Sequence, residues 1–417
     1  MRIFFIALFI LFQQVSFASY LLIPMDESQK NHLKAYGIAY WSLQNDIEVS
    51  WLLNYRGGSF ITAYHREIEE ECMIRGVSYH VVADFQAQKI FSEIARPDMN
   101  MDRIKLEKAP KVAVYSPKSK LPWDDAVTLV LAYSEIPYDI IYDKEIVEGD
   151  LSKYDWLHLH HEDFTGQYGK FYGNYRNTAW YQTSKRELES LAAELGFAKV
   201  SELKKFVVQT IRDYVTRGGF LFAMCSAADT YDIALAATDV DICGSMFDGD
   251  PYDPDAQNKL DFTKTFAFKD FKISLNPFQY EYSDIDVSDY RKVPKEKDYF
   301  SLFEFSAKWD PVPTMLCQNH ETLIKGFMGQ TTAFNKNLIK SNVLIMGEYK
   351  VANEARYIHG EYGKGTWTFY GGHDPADYQH YVGDPKTDLN LHPNSPGYRL
   401  ILNNILFPAA KKKKMKT

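Results

Sequence analysis

From Val112 to Met224 short apolar runs alternate with helix-like stretches, and this alternation restricts the fold more than any other feature of the chain. Val112–Tyr115, Tyr138–Tyr142, Trp156–His160 and Phe220–Met224 read as strands. Between the first two, Asp124 is placed to cap a helix carrying Val127, Leu131 and Ala132, which Pro137 ends. Ser184 with Glu187 forms a capping box before a helix that stops at Gly196. A longer helix, from about Glu202 to Thr216, turns Leu203, Phe206, Val207, Ile211, Tyr214 and Val215 to one side and stops at Gly218-Gly219, a left-handed cap. Strands and helices alternating at these lengths predict an α/β fold with a mainly parallel sheet covered on both faces.

The flanking segments follow from the same patterns. Residues 19–95 read as a small N-terminal α/β unit: a strand at Tyr20–Ile23, a helix carrying Leu33, Tyr40 and Trp41, a strand at Val49–Asn54, a helix around His65–Arg75 and a strand near Tyr79–Val82. The polar, Pro-punctuated stretch 96–111 reads as a linker to a domain over 112–408. Within that domain an aromatic, Gly-rich insertion spans Phe164–Tyr181, and residues from about 245 to 315 read as a β-rich insertion. The sheet pattern resumes at Val343–Met346 and continues in a hairpin, Arg356–Glu361 and Thr366–Tyr370, across Tyr362-Gly363-Lys364-Gly365. A last helix starts at Ser395-Pro396, and residues 409–417, with the run Lys411–Lys414, form a basic tail.

Arg2, the apolar run Ile3–Phe12, and Ser16-Phe17-Ala18 have the layout of a cleaved secretory signal peptide over residues 1–18. Its apolar part is too short for the roughly twenty residues that span a bilayer, and no other segment is long enough. A periplasmic or secreted chain with no transmembrane segment after cleavage is therefore expected. A net charge of −8 with both signs interspersed argues against nucleic acid as a partner. Cys72, Cys225, Cys243 and Cys317 are too few and too scattered for a disulfide scaffold.

In an open parallel sheet, ligands sit beyond the carboxyl ends of the strands. Cys225 stands at such an end, at the step from strand to helix, where a helix N-terminus lowers a thiol pKa and the N–H of Ser226 can hold an oxyanion. His373, in Gly371-Gly372-His373-Asp374 after the strand Thr366–Tyr370, offers a general base, with Asp374 or Asp377 (or Glu348) to orient it. His160, His161 and Glu162 extend from a third strand end into the same crevice, and Tyr168, Phe171, Tyr172, Tyr175, Trp180 and Tyr181 are placed to line it.

These residues carry a resemblance. Gly218-Gly219-Phe220-Leu221-Phe222-Ala223-Met224-Cys225-Ser226-Ala227 resembles the nucleophile elbow of class I glutamine amidotransferase-like proteins. Tyr362-Gly363-Lys364-Gly365 with Gly371-Gly372-His373-Asp374-Pro375 resembles their late strand and His segment, and is also similar to trehalose-utilisation-type proteins, which often lack the cysteine. The resemblance implies a flavodoxin-like domain over roughly 111–408 and a Cys–His hydrolase acting on an amide. It departs from the amidotransferases at Pro375, where they place the Glu that follows the His. From Tyr20-Leu21-Leu22-Ile23-Pro24-Met25 onward the chain also resembles exported Bacteroidota proteins commonly labelled asparagine synthetase B. That enzyme's chemistry is not legible: no Ser-Gly-Gly-x-Asp phosphate loop appears, and the expected mature terminus is Ser19 or Tyr20 rather than cysteine.

Other readings compete for the same residues. A non-catalytic module binding a sugar, peptide or other small molecule would use the same crevice. A caspase- or gingipain-type peptidase would pair His160 or His161 with Cys225. On a strand His158 and His160 face one way and His161 the other, so a zinc site would need His373 or His380. Asp248-Gly249-Asp250 with Asp253 and Asp255 misses the EF-hand spacing and reads as a solvated acidic turn. The expectation is no cofactor and no metal.

Overall fold

The computed structural model describes residues 19–117, 125–288, 293–381 and 384–410. The signal segment, Asp124 and the run Lys411–Lys414 lie outside the described residues. The N-terminal elements are β1 (Ser19–Ile23), α1 (His32–Gln44), β2 (Val49–Leu53), β3 (Ser59–Ala63), α2 (Arg66–Arg75), β4 (His80–Ala83), α3 (Asp84–Ala95) and β5 (Asp102–Leu106). Their strands form an antiparallel sheet in the order β4-β1-β3-β2-β5. The stretch 96–111, read as a linker, therefore supplies a strand. In β5 Ile104 and Leu106 are buried while Arg103 and Lys105 face out, a period-2 pattern that the charges concealed.

The second sheet is built from β6 (Val112–Tyr115), α4 (Ala126–Tyr133), β7 (Asp139–Ile141), α5 (Asp143–Val147), β8 (Trp156–His160), α6 (Tyr172–Tyr175), α7 (Ala179–Glu194), α8 (Val200–Arg217), β9 (Phe220–Met224), α9 (Ser226–Ala236), α10 (Ser245–Asp248), β10 (Tyr299–Leu302), α11 (Pro311–Leu316), β11 (Leu323–Lys325), β12 (Phe334–Asn335), β13 (Leu344–Tyr349), β14 (Glu354–Tyr362), β15 (Gly365–Tyr370) and α12 (Pro396–Leu406). The order across it is β11-β10-β13-β14-β15-β9-β8-β6-β7, with β12 against β14. β15, β9, β8, β6 and β7 are parallel, and the remaining pairs are antiparallel. The fold is thus α/β with a mixed sheet, and its parallel half holds the strands read from the alternation.

Successive residues of the parallel strands point into two different cores. Val112, Val114, Phe222 and Met224 join one cluster, and Ala113, Tyr115, Leu221 and Ala223 the other. Burial on both faces is why these strands read as continuous apolar runs rather than alternating ones. The first cluster extends into the N-terminal unit, where Leu33, Tyr36 and Tyr40 of α1 meet Leu400, Ile401 and Ile405 of α12. Arg399 of α12 is fully buried and donates to the carbonyls of Met25 (3.1 Å) and Gly57 (2.7 Å), so the two sheets share a satisfied polar seam.

The stretch 245–315 is not β-rich. Among its described residues it holds short helices, turns, isolated bridges and the single strand β10. Carboxylates cap its backbone in place of a ladder: Asp232 accepts from the amides of Phe266, Ala267 and Phe268 at 2.7–2.9 Å. The acidic turn is tied down by lysines, with Lys199 against Asp241 and Asp248, and Lys259 against Asp253.

Candidate functional site

The carboxyl ends of β8, β9 and β15 lie side by side, because β9 pairs with β8 and β15 in parallel register. Cys225 is the turn between β9 and α9, and its φ of 55° and ψ of −144° put a non-glycine residue in the left-handed half of backbone space. Strain of this kind costs on the order of 1–3 kcal/mol and persists only where the surroundings enforce it. Here they do: β9 is a central strand and α9 is buried along its whole length.

The sulfur of Cys225 accepts from the Gln330 amide (3.3 Å), and the residue is 3 % exposed. Burial pushes the thiol up to about 11, while the amides of Gln330, Thr331 and Ser226 pull the other way. The helix N-terminus was expected to lower it; removal from water outweighs that pull. Cys225 is therefore a protonated thiol at neutral pH. Cys72, Cys243 and Cys317 are also free.

Two imidazoles stand beside Cys225. One ring nitrogen each of His160 and His373 and the sulfur of Cys225 all lie within 4.8 Å of one another. His373 Nδ1 and His160 Nε2 share a hydrogen bond of 2.9 Å, and His160 Nδ1 lies 3.1 Å from Asp125 Oδ1. A proton on His160 Nδ1 facing that carboxylate makes its Nε2 the acceptor, so His373 donates from Nδ1 and keeps Nε2 basic. Burial, and then the neighbouring His160 and His380, hold His373 well below the usual histidine range, so it is neutral at neutral pH. Asp125 would be raised by burial, but the imidazoles of His158 and His160 outweigh this and keep its carboxyl well below the carboxylate range.

Asp374 and Asp377 were expected to orient His373 and do not. Asp374 accepts from Tyr398 (2.8 Å), Thr387 (2.7 Å) and the amides of Ala376 and Asp377, which fixes the turn after β15. Asp377 pairs with His380 at 3.1 Å, and Glu348 is held by Lys336. Sequence reasoning missed Asp125, whose Oδ1 also accepts from the amides of Val127 (2.7 Å) and Thr128 (3.1 Å). The signal was an N-cap beside Asp124, the residue chosen for that role.

A second missed element is the loop Met328–Thr332. Its Met328 carbonyl accepts from the His373 amide (2.9 Å), its Thr331 carbonyl from Gly372 (2.8 Å), and its Thr331 hydroxyl donates to Asp229 on α9 (2.8 Å). One loop thus binds both strand ends. It runs so close that a Cβ on Gly329 would lie 2.8 Å from the Gly372 carbonyl carbon and the His373 nitrogen.

Two cavities meet here. The smaller, about 360 Å³, is lined by Cys225, His373, His161, Tyr175, Tyr280 and Gln330. His160 is not among its lining residues and stands behind His373. The larger, about 580 Å³, shares His161 and Phe171 with the first and is walled by Tyr168, Trp180, Tyr181 and Glu162. His161 turns the corner after β8 with a φ of 22°, and burial, then His160 and His373, keep it neutral. Burial pushes the Glu162 carboxyl up to about 8. Of the aromatics expected in the crevice, Tyr172 alone lines neither cavity, and it packs on Phe247 and Phe278. Among the described residues no helix is long and apolar enough to cross a membrane.

No protein-family model matches the chain, and no curated protein matches it. Solved structures similar to it include two cytoplasmic proteins of Salmonella typhimurium, STM3548 and STM1381. They are 12% and 13% identical, each matched over 72% of this chain and 100% of its own, with TM-scores of 0.35 and 0.36. Gan42B, a GH42 β-galactosidase, is 13% identical over 64% of this chain and 28% of its own, with a TM-score of 0.27. Likenesses this distant carry no argument about activity.

Proposed function

We propose that the chain is an exported thiol hydrolase of the class I glutamine amidotransferase-like, flavodoxin-like type, acting on an amide carbonyl. The observation that carries the reading is the convergence of Cys225, His373, His160 and Asp125 at one cavity. The strand order β7-β6-β8-β9-β15, with its reversal at β6, supports the flavodoxin-like part. Export rests on the sequence of residues 1–18 and suits a reaction that consumes no nucleotide.

In the proposed cycle His373 Nε2 takes the thiol proton as the sulfur of Cys225 bonds to the amide carbon. The carbonyl oxygen gains the charge, and the Ser226 amide is the nearest helix N-terminal donor for it. His373 returns the proton to the nitrogen as the C–N bond breaks, releasing ammonia or an amine and leaving a thioester. Water, deprotonated by His373, then frees the carboxylate and the thiol. His160 and Asp125 stabilise the imidazolium at each step, so the role sought in Asp374 or Asp377 falls to Asp125 acting through a second histidine.

One observation favours a second reading, a non-catalytic binding module: the thiol is held high, beside an aromatic cavity large enough for a sugar ring or a peptide side chain. The two part in one experiment. Glutamine and a panel of peptidyl amides are incubated with the protein, and ammonia or amine release is measured together with an acyl adduct on Cys225. Release that vanishes in Cys225→Ala supports hydrolysis; binding of a panel member with no release and no adduct sinks it.

A further inference from the structure

We propose that Cys225, His160 and His373 form a site for a thiophilic divalent cation of the zinc type, and that the cation silences Cys225 as a nucleophile; the second half rests on the hydrolase reading above. Three features carry it. The donor set is one thiol and two imidazoles, each under a tenth exposed, with one ligand atom from each already within 4.8 Å of the others. That composition suits zinc or a softer metal far better than calcium or magnesium.

Next, the set is braced as metal-binding histidines are. His160 Nδ1 rests on Asp125, leaving Nε2 turned to the centre, a carboxylate behind a histidine ligand. His158 stands 3.4 Å from the other oxygen of the same carboxylate, which pins Asp125 from both sides. Finally, Cys225 and His373 line the 360 Å³ cavity, and no lysine or arginine is among its described lining residues. Three protein ligands with the fourth position open to a cavity is an arrangement zinc takes readily.

Binding requires two changes. The hydrogen bond between the imidazoles breaks and His373 shifts its proton from Nδ1 to Nε2 by exchange with solvent, so that His373 Nδ1 and His160 Nε2 each offer a lone pair to the cation, and the sulfur loses its proton to solvent to bind as thiolate. Nothing is oxidised or reduced. The bound sulfur keeps lone pairs, but the cation draws charge from it and occupies the side from which a carbonyl would approach, and His373, bound through Nδ1 and protonated at Nε2, has no free nitrogen to accept a proton.

The test uses the full mature chain, freed of metal by chelator and dialysis. Cobalt(II) is titrated in while the thiolate-to-cobalt charge-transfer band and the tetrahedral ligand-field bands are followed. Alkylation of each cysteine by iodoacetamide is mapped by peptide mass, with and without one equivalent of zinc. The expected result is a charge-transfer band in the wild type and in Cys243→Ser, absent in Cys225→Ser, and alkylation of Cys225 slowed about tenfold or more by zinc and restored by chelator. Should Cys225→Ser fail to fold, the zinc protection of Cys225 in the wild type decides alone. Absence of the band in a protein whose Cys225 alkylates readily overturns the metal site and leaves the hydrolase reading standing. A band in a protein that releases no amine, with or without metal, keeps the site and overturns the silencing and the hydrolase reading. Amide hydrolysis that rises with zinc overturns the silencing.

Discussion

His160 and His373 stand 213 residues apart in the chain and share a hydrogen bond of 2.9 Å at the ends of two parallel strands. Asp125 on the far side of His160 gives the pair a direction, with the negative charge at one end and the basic nitrogen at the other. His373→Ala should lower the turnover of any amide the protein hydrolyses by about 10²–10⁴-fold, the usual span of general-base catalysis. Asp125→Asn should lower it by less, and it should also lower stability at neutral pH, because Asn keeps the helix cap but loses the charge that His158 and His160 hold ionised. Steady-state rates and urea midpoints of the two variants check this.

Gly372 precedes His373 with a φ of 104°, and a Cβ there would lie 2.5 Å from the Phe327 ring. Gly372→Ala should cost about 1–3 kcal/mol in urea unfolding and also reduce activity, since the strain falls on the histidine turn. Gly196→Ala is the control, because its φ of 86° is also positive but a Cβ would meet nothing within 4 Å. It should be destabilised less and keep full activity.

Three histidines outside the site are held neutral, His32 and His359 buried and His320 half-buried. Burial lowers His359 from 6.5 to about 4, and it lowers His32 to about 3 and His320 to about 4 with the help of Arg399. The unfolded chain takes up these protons near pH 6.5 and the folded chain only near 4 or below, so the unfolded state binds more protons between those values. Stability is therefore full above about pH 6.5 and falls as pH drops toward 4. His359→Gln should flatten that fall by on the order of 3 kcal/mol. Urea titrations at pH 7, 5.5 and 4.5 measure it.

Lys204 reaches Asp143 at 3.0 Å and donates to the hydroxyls of Tyr115 (2.7 Å) and Tyr142 (3.1 Å), with both charged side chains at most 2 % exposed. Removing one partner leaves a buried charge alone. Lys204→Met should cost about 3–5 kcal/mol, and the double variant with Asp143→Leu should recover much of it. A double-mutant cycle in denaturant reads the coupling directly.

The parallel half of the fold was legible because its strands are buried on both faces and its helices end in glycine or proline. β5 was not, because Arg103 and Lys105 disguised a one-faced strand as a polar linker. The insertion was misread because aromatic and β-branched residues between turns look like strands, yet Asp232 and its like satisfy that backbone from side chains. At the site, Cys225, His373, His161 and Glu162 were found because strand ends can be located in a sequence. Asp125 was not, because its partner His160 lies on a strand whose neighbour is fixed only by sheet order. Asp374 looked right by proximity in sequence, while in space Tyr398 and Thr387 claim its oxygens.

In the proposed hydrolase Asp125, His160 and His373 together make a buried thiol reactive. Its most direct measurement is the rate at which iodoacetamide alkylates Cys225 in the folded, metal-free protein at pH 7, resolved from the other cysteines by peptide mass. Cys225 should react faster than Cys72, Cys243 and Cys317, and His373→Ala and His160→Gln should each slow it about tenfold or more. A Cys225 that reacts only after denaturation, or at a rate indifferent to both histidines, contradicts it.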